Sequence, residues 1–350
     1  MTMPFRFGLT TFGDVPHREG EERLTDAASI REIVAHAQLA ESLGFDVFTI
    51  GEHHREDMPV PSPEMVLAAI ASVTTRMHLG SAVTVLSTDD PVRVYERFAT
   101  LDAVSNGRAE PILGRGSFTE TFPLYGFNIA EYDALFEEKL NLWAELRAEQ
   151  PITWEGNLRP SLHNRQVYPR TEHPGGLPTW VGVGGNPQSV LRVARYGFNL
   201  MLAALGMTNK RLRQNVDLFQ RGLQHFGQPR PQIGVSVNGY IAPTDKEARD
   251  ELWPQYEQRM GRIGRERGWG PIDRATFEDS IDHGLHMVGS PATVARKMVE
   301  TIMFLGLNRI DFGYDTVSLP LEAKERSLTL LANEVVPEVR AWIDNAAVTM

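Results

Sequence analysis

Cysteine is absent from all 350 residues of the chain. Disulfide bonds, thiolate nucleophiles and metal sites with cysteine ligands are therefore excluded. A GxGxxG motif is also missing after the first predicted strand, FRFGLTTF at 5–12. Since that motif marks dinucleotide-binding Rossmann folds, its absence weakens a Rossmann interpretation.

Long apolar runs and blocks of like charge are missing too. No stretch reaches about 18 apolar residues, and the N-terminal MTMPFRFGLTTFG lacks a basic region followed by a long apolar run. We therefore expect no membrane span and no signal peptide, and we predict a cytoplasmic protein. The net charge of −10 is dispersed along the chain, so nucleic acid is not an expected partner.

Apolar segments of strand length alternate with helical segments. The predicted strands are 5–12, 45–51, 77–87, 108–114, 179–185, 198–204, 232–242 and 309–315. Strands of this kind, separated by helices, predict a parallel sheet covered on both faces. About eight units predict an α/β fold, a (β/α)8 TIM barrel formed as one domain by residues 1–350. An open doubly wound sheet is the alternative.

Two segments break this alternation. Residues 151–178 are rich in Pro, Gly and Asn and have no helical period. They are predicted to be an insertion, folded as a hairpin over one end of the barrel. Residues 267–287 are rich in glycine and are predicted to be irregular.

Glu52, His53 and His54 follow the second predicted strand directly. In a TIM barrel, functional groups lie just past the carboxyl ends of the strands. Adjacent histidines in an extended segment point to opposite sides, so we expect one of them to face the pocket. An imidazole there can exchange protons near pH 7. A structural role and metal binding are alternatives, but the His-X-His spacing that puts two rings on one strand face is absent.

Two further strand ends carry candidate anion-binding groups. Arg115 lies between two glycines in ILGRGSF (112–118), where a guanidinium suits a phosphate or a carboxylate. The Gly-Gly-Asn turn at 184–186 precedes Pro187, where a helix begins, and free N–H groups at a helix start attract anions. A tight turn with a surface arginine and an ordinary strand–helix turn are the alternatives.

Together these segments resemble the bacterial luciferase-like flavin-dependent monooxygenase family. The resemblance lies in the order and spacing of the motifs from FGLTTF to RIDFGYD, and it is strongest over 44–126 and 178–202. It implies a (β/α)8 barrel that binds reduced FMN or, in one branch, a deazaflavin; DDP at 89–91 and RGSF at 115–118 favour FMN. It implies His53 as the catalytic residue. The cofactor-binding residues that it implies are Ala82, Val83, Arg115, Gly116, Ser117, Gly184, Gly185, Asn186 and Ser189.

The resemblance also implies details of structure and assembly. The Ala82–Val83 peptide bond is expected to be cis beneath the flavin ring, and 151–178 takes the position of a mobile flap. Family members pair through the helices after strands two and three, so a homodimer or larger homo-oligomer is expected. Gly185 stands where bacterial luciferase has an acid, and light emission is therefore not expected.

The function implied is oxygenation of an unidentified small organic substrate, which Phe12, Phe118 and Phe122 would contact. A separate flavin reductase would supply reduced FMN, and O2 would react through a flavin hydroperoxide. Three alternatives remain open: hydride transfer with a deazaflavin, flavin binding without catalysis, and a metal-dependent barrel hydrolase.

Overall fold

The computed structural model describes residues 4–15, 23–315 and 317–349. Twelve strands lie within these ranges. They are β1 (Arg6–Thr11), β2 (Val47–Ile50), β3 (His78–Ser81), β4 (Thr84–Val85), β5 (Ile112–Gly114), β6 (Ile152–Trp154), β7 (Leu162–Arg165), β8 (Trp180–Val183), β9 (Asn199–Ala203), β10 (Ile233–Ile241), β11 (Met287–Gly289) and β12 (Arg309–Gly313).

The main sheet closes into a ring of eight parallel strand positions among the described residues. Its strands are hydrogen-bonded in the order β3–β2–β1–β12–β10–β9–β8–β5–β4, and β3 and β4 are two halves of one position. A bridge between Leu79 and Ala109 joins β3 to the segment that enters β5. Ser81 Oγ also donates a 3.0 Å hydrogen bond to the carbonyl of Ile112. These links confirm the predicted TIM barrel over the open sheet; β11 pairs with β10 outside the ring.

Helices follow the strands and cover the outside of the ring. They are α1 (Asp26–Ser42), α2 (Pro63–Ala71), α3 (Pro91–Ser105), α4 (Thr121–Tyr125), α5 (Tyr132–Leu146), α6 (Pro187–Tyr196), α7 (Asn209–Phe226), α8 (Asp245–Arg267), α9 (Arg274–Asp282), α10 (Pro291–Leu305), α11 (Leu321–Leu330) and α12 (Val336–Thr349). A π-helical turn over Leu331–Val335 connects the last two.

Helix α3 shows how local sequence sets the helix ends. Asp90 is its N-cap, and the carboxylate accepts hydrogen bonds from the backbone N–H groups of Val92 and Arg93. Pro91 follows in the first turn, where its missing N–H costs nothing. Asn106 ends the helix in the left-handed conformation, with φ of 56°. Both ends are therefore set by residues whose conformational preferences act locally.

The insertion at 151–178 contains the predicted hairpin, formed by antiparallel β6 and β7. It packs on the side of the barrel against α5. The Glu138 carboxylate of α5 accepts hydrogen bonds from the backbone N–H groups of 157–159. Trp154 Nε1 donates a 2.8 Å hydrogen bond to Asn141 Oδ1. The described contacts therefore anchor the hairpin to the outer helix layer.

The prediction of irregular structure over 267–287 is wrong. Helix α9 lies there, with Asp273 as its N-cap accepting from the backbone N–H of Thr276 at 2.8 Å. Phe277 and Ile281, four residues apart, are its buried residues. A nine-residue helix shows too few apolar repeats for periodicity to stand out beside neighbouring glycines.

Charged side chains are buried at the amino-terminal end of the barrel. Glu110 accepts from Arg309 Nη1 at 3.1 Å and from Arg6 Nη1 at 2.5 Å. Burial alone would raise the pKa of Glu110, but His78, Arg6 and Arg309 lower it below its ordinary value. This network lies at the end of the barrel where buried polar residues support stability, which leaves the opposite end for chemistry.

Candidate active site

Glu52 links two strand ends at the carboxyl end of the barrel. Its Oε2 accepts a 2.7 Å hydrogen bond from the Val85 backbone N–H, and its Oε1 lies 3.0 Å from His54 Nε2. His54 Nδ1 in turn lies 3.3 Å from the Tyr125 hydroxyl. Glu52 and His54 therefore form a structural pair that ties β2 to β4.

The His53 ring has different surroundings. It makes edge-to-face contacts with Phe12 and Phe118, at ring-centroid distances of 5.7 and 5.4 Å. Burial, with the charges of Arg259 and Arg55, lowers the pKa of His53 to about 3. The two adjacent histidines thus separate as expected. The sequence predicted proton exchange near pH 7, whereas a pKa of about 3 keeps this imidazole neutral there.

Ala82 and Val83 lie between β3 and β4, and both are partly exposed. The peptide bond between them is cis, as the resemblance implies. The Val83 side chain lies against two glycines of neighbouring strands. A Cβ built on Gly182 would lie 2.8 Å from Val83 Cγ1, and one on Gly114 would lie 2.9 Å from Val83 Cβ. Glycine at both positions leaves the space that Val83 occupies.

Arg115 connects two of the predicted motifs. Its Nη2 donates a 3.1 Å hydrogen bond to Ser189 Oγ in the first turn of α6, although 74 residues separate them in the chain. Its Nη1 donates to Asp133 Oδ1 at 2.5 Å, and the guanidinium lies 5.0 Å from the centre of the Tyr132 ring. The end of β5 and the start of α6 therefore meet at one guanidinium.

The turn before α6 is exposed and open. Asn186 is the N-cap of this ten-residue helix, and its Oδ1 accepts a 2.9 Å hydrogen bond from the Gln188 backbone N–H. A Cβ built on Gly184 would have no neighbour within 4 Å. One built on Gly185 would lie 3.0 Å from Arg211 Nη2. The turn therefore presents the positive end of the α6 dipole with a second guanidinium beside it.

Arg211 was not predicted as a site residue from the sequence. It lies in the first turn of α7, after β9, where no glycine or other motif draws attention to it. Among the described residues, no carboxylate lies within ion-pairing distance of its guanidinium. The available signal was its place in the first turn after a barrel strand, the same position that Ser189 has after β8.

The loop after β5 is held from two sides. Gly116 adopts φ of 75°, and its carbonyl accepts a 2.8 Å hydrogen bond from the Tyr132 hydroxyl. The Ser117 carbonyl accepts a 3.0 Å hydrogen bond from Arg267 Nη2 of α8. Ser117 is exposed, so its hydroxyl is accessible at this end of the barrel.

Helix α8 crosses the ends of several barrel strands. Arg259 forms an ion pair with Asp14 after β1, and Arg262 Nη2 lies 2.6 Å from Asp57 Oδ2 after β2. Together with Arg267 on the β5 loop, these contacts place α8 across one side of the barrel mouth. The sequence assigned the position of a covering flap to 151–178. Arg159 of that segment donates a 2.7 Å hydrogen bond to Asp90 at the start of α3, and α8 also lies at the mouth.

A cavity of about 600 Å³ lies between α8 and the loops after β1 and β2. Its lining includes His54 and Arg55 but none of the nine residues predicted to bind the cofactor. Of the three phenylalanines expected near the substrate, Phe12 and Phe118 are partly exposed, whereas Phe122 is buried at 1% exposure.

No group of three or more histidine, aspartate or glutamate side chains in the described ranges is arranged to hold a metal ion. None of the helices described is both long and apolar enough to cross a membrane.

Comparisons with known proteins identify the family of this chain. The sequence model of luciferase-like monooxygenases matches residues 5–308. An uncharacterized protein of Sinorhizobium fredii, y4vJ, is 31% identical over 330 residues, covering 90% of this chain and 93% of that protein. The oxygenase component of flavin-dependent trigonelline monooxygenase from Acinetobacter baylyi is 23% identical, covering 90% of this chain and 92% of its own.

Solved structures show the same fold. Monooxygenase RslO1 from Streptomyces bottropensis has a TM-score of 0.83 at 23% identity, covering 95% of this chain and 99% of its own. The oxygenating constituent of 3,6-diketocamphane monooxygenase from Pseudomonas putida, in complex with FMN, has a TM-score of 0.77 at 20% identity, covering 96% and 98%. An F420-dependent secondary alcohol dehydrogenase has a TM-score of 0.74 at 17% identity, covering 96% and 99%. With the family match spanning most of its length, this chain is an enzyme of the luciferase-like monooxygenase family.

Proposed function

We propose that the protein is the oxygenase component of a two-component flavin monooxygenase, which uses reduced FMN and O2 to oxygenate a small organic substrate. The observation that carries this proposal is the contact of Arg115 with Ser189 at the exposed start of α6. Arg115, Arg211 and the positive end of the α6 dipole bring positive charge to one place, as a terminal phosphate requires. When bound, reduced FMN supplies the electrons that activate O2.

The residues of the chain would have separate tasks. Asn186 and Ser189, with Gly184 and Gly185 leaving space, would hold the phosphate beside Arg115. Ala82 and Val83 would support the flavin ring, and Gly116 and Ser117 would lie along its chain. Glycines at such positions let the backbone approach a ligand closely.

His53 would act as a neutral imidazole at the reacting face of the flavin. Its low pKa means that it keeps one N–H donor and one acceptor nitrogen across the physiological range. It can therefore pass a hydrogen bond to the cofactor without adding a positive charge. Phe12 and Phe118 on either side of the ring would limit the access of water.

Binding of flavins with and without a phosphate tests this assignment. We expect Arg115→Ala to weaken FMN binding about 10- to 100-fold, the range that corresponds to one lost hydrogen bond to a charged group. Riboflavin, which lacks the phosphate, should lose less than about threefold. Arg195→Ala is the matched control, since that arginine lies in the last turn of α6, at the end of the helix opposite to Ser189. Equal weakening of FMN and riboflavin would place the phosphate elsewhere.

Hydride transfer with a deazaflavin is the second candidate. It is favoured by the fold shared with the F420-dependent secondary alcohol dehydrogenase, whose TM-score lies close to that of the FMN complex. Parallel absorbance titrations with FMN and F420 separate the two cofactors. The proposal predicts the tighter complex with FMN.

A separate flavin reductase would deliver the reduced cofactor, as the name "oxygenase component" implies for the trigonelline relative. We also propose a homodimer that pairs through α2 and α3. Met65 on α2 is 71% exposed and Val104 on α3 is 53% exposed, and an interface would remove both from water.

A further inference from the structure

The cavity beneath α8 has a lining unlike that of most small-molecule sites. Residues of α8 face it at positions 255, 258, 259, 262, 265 and 266, which is the spacing of one helix face. Val15 and Val317 are its apolar members among the described lining residues. Ligand sites of similar volume are usually lined mainly by apolar side chains. This lining therefore suits a polar ligand.

The formal charges of the described lining balance. It contains five arginines and five carboxylates: Arg23, Arg55, Arg259, Arg262, Arg265, Asp14, Glu56, Asp57, Glu120 and Glu266. A ligand with one net charge would upset this balance in a partly desolvated space, whereas a ligand with a charge of each sign would not. An apolar ligand would remove these groups from water without replacing their hydrogen bonds, which is costly.

Four polar atoms of the lining have no hydrogen bond among the described residues, and one of them, Oδ2 of Asp57, forms an ion pair with Arg262 Nη2. The three atoms with neither a hydrogen bond nor an ion pair are Oδ2 of Asp14, Oε1 of Gln255 and Nε of Arg262. Asp14 is only 8% exposed, and its other oxygen is bound by Arg259. Two of these atoms accept hydrogen bonds and one donates. Buried polar atoms usually have partners, so these three indicate where a ligand would bind.

Their positions set the length of that ligand. Gln255 and Arg262 are seven residues apart on α8, about 10 Å along the helix axis. Arg259, which holds Asp14, lies about one turn from each of them. A ligand that contacts both Gln255 and Arg262 would therefore span roughly the length of a small organic molecule.

Phe118 connects this cavity to His53. Its ring centroid lies 5.4 Å from that of His53 on one side and 4.5 Å from the Arg55 guanidinium on the other. A ligand that contacts Arg55 in the cavity would therefore be separated from the ring that shields His53 by that one guanidinium. This proximity suits a substrate better than a remote effector.

We propose that the substrate is a small zwitterion bound in this cavity, with its ammonium group at Asp14 and Gln255 and its carboxylate at Arg262. This inference rests on the proposed function, because it assigns the substrate class of that reaction. The carboxylate accepts from Arg262 Nε, and the ammonium donates to the two oxygens.

Saturation-transfer NMR with matched probes tests the proposal on the intact FMN-loaded protein. The probes are 6-aminohexanoate, hexylamine, hexanoate and hexane, with the corresponding series of seven and eight carbon atoms, so that each zwitterion carries its two charges at opposite ends of the chain. We expect the zwitterions to bind at least tenfold more tightly than the amines, acids or hydrocarbons. Gln255→Leu and Arg262→Leu should each weaken the zwitterions at least fivefold. Gln224→Leu and Arg296→Leu, at exposed positions of α7 and α10, are the matched controls and should change nothing.

Three results would overturn the inference: tighter binding of the hydrocarbons, no binding by any zwitterion, or zwitterion affinities unchanged in both cavity variants. An FMN titration of each variant keeps this failure distinct from failure of the proposed function. If the wild-type protein does not bind FMN but zwitterions bind as expected, the proposed function fails and the cavity remains a zwitterion site. If FMN binds and the zwitterions do not, the substrate class alone is wrong.

Discussion

Gly114→Ala tests whether the floor of the barrel mouth is built as described. A Cβ at Gly114 would lie 2.9 Å from Val83 Cβ and 3.0 Å from Val83 Cγ1, and it would overlap Cγ2. Carbon atoms pack without repulsion at about 3.5–4.0 Å. The new methyl group therefore overlaps Val83 by up to about 1 Å. Val83 has little room to move away, since Gly182 lies on its other side, next to Val83 Cγ1.

Overpacking of this kind costs about 1–3 kcal/mol in the free energy of unfolding. Because Val83 is a proposed support for the flavin ring, its displacement should also weaken FMN binding, by about tenfold for each 1.4 kcal/mol. Urea unfolding followed by circular dichroism measures the first effect, and fluorescence titration with FMN measures the second. Gly270→Ala is the control, because a Cβ at that position has no neighbour within 4 Å and should change stability by less than about 0.5 kcal/mol.

A double variant identifies the cause. Val83→Ala removes both γ-carbons, including the atom that overlaps most. In that background the loss of unfolding free energy caused by Gly114→Ala should therefore fall by at least half. Coupling of about 0.5 kcal/mol or more between the two substitutions is expected for residues in contact. Additive losses, or a Gly114→Ala protein as stable as the control, would show that Val83 does not occupy this space.

Three further predictions concern buried titratable groups. Burial raises the pKa of Asp315 to about 6, so stability falls as the pH rises from about 4 to 6. Asp315→Asn keeps an acceptor for Thr11 Oγ1 and should be more stable than wild type at pH 7.5, by up to about 3 kcal/mol. Urea unfolding at pH 3.5 should show no gain. A gain that does not depend on pH would refute the titration. Glu110→Gln should cost about 3 kcal/mol in the same assay, because it breaks the buried ion pair with Arg309; a cost below about 1 kcal/mol would show that the pair is dispensable. The His53 ring should not titrate between pH 5 and 8 in nitrogen NMR, with His53→Gln identifying its signal; a midpoint above pH 5 would contradict the neutral imidazole.

Local sequence was a good guide to elements with strong signals of their own. The ends of α3 were set by Asp90, Pro91 and Asn106, three residues whose conformational preferences act within one turn. Helix α9 was missed because its stability comes from burying Phe277 and Ile281 against other elements. Such packing leaves little periodic signal in nine residues.

The candidate site divides in the same way. His53, Arg115 and the turn at 184–186 could be found because each directly follows a strand, and parallel strands bring their carboxyl ends together. The places of Arg211 and α8 at the site could not be found, because they depend on how helices pack across the barrel. The pKa of His53 was likewise hidden, since Arg259 and burial act on it through space.

The amino-acid sequence by itself determined the eight-fold alternation of buried strands and helices, and therefore the barrel and the end at which functional groups gather. These properties follow from short-range periodicity and from backbone preferences that each segment carries alone. Tertiary structure decided the contact of Arg115 with Ser189, the neutral state of His53 and the charge-balanced cavity under α8. Those depend on distances between residues far apart in the chain, and Coulomb interactions, desolvation and hydrogen bonds are fixed by such distances.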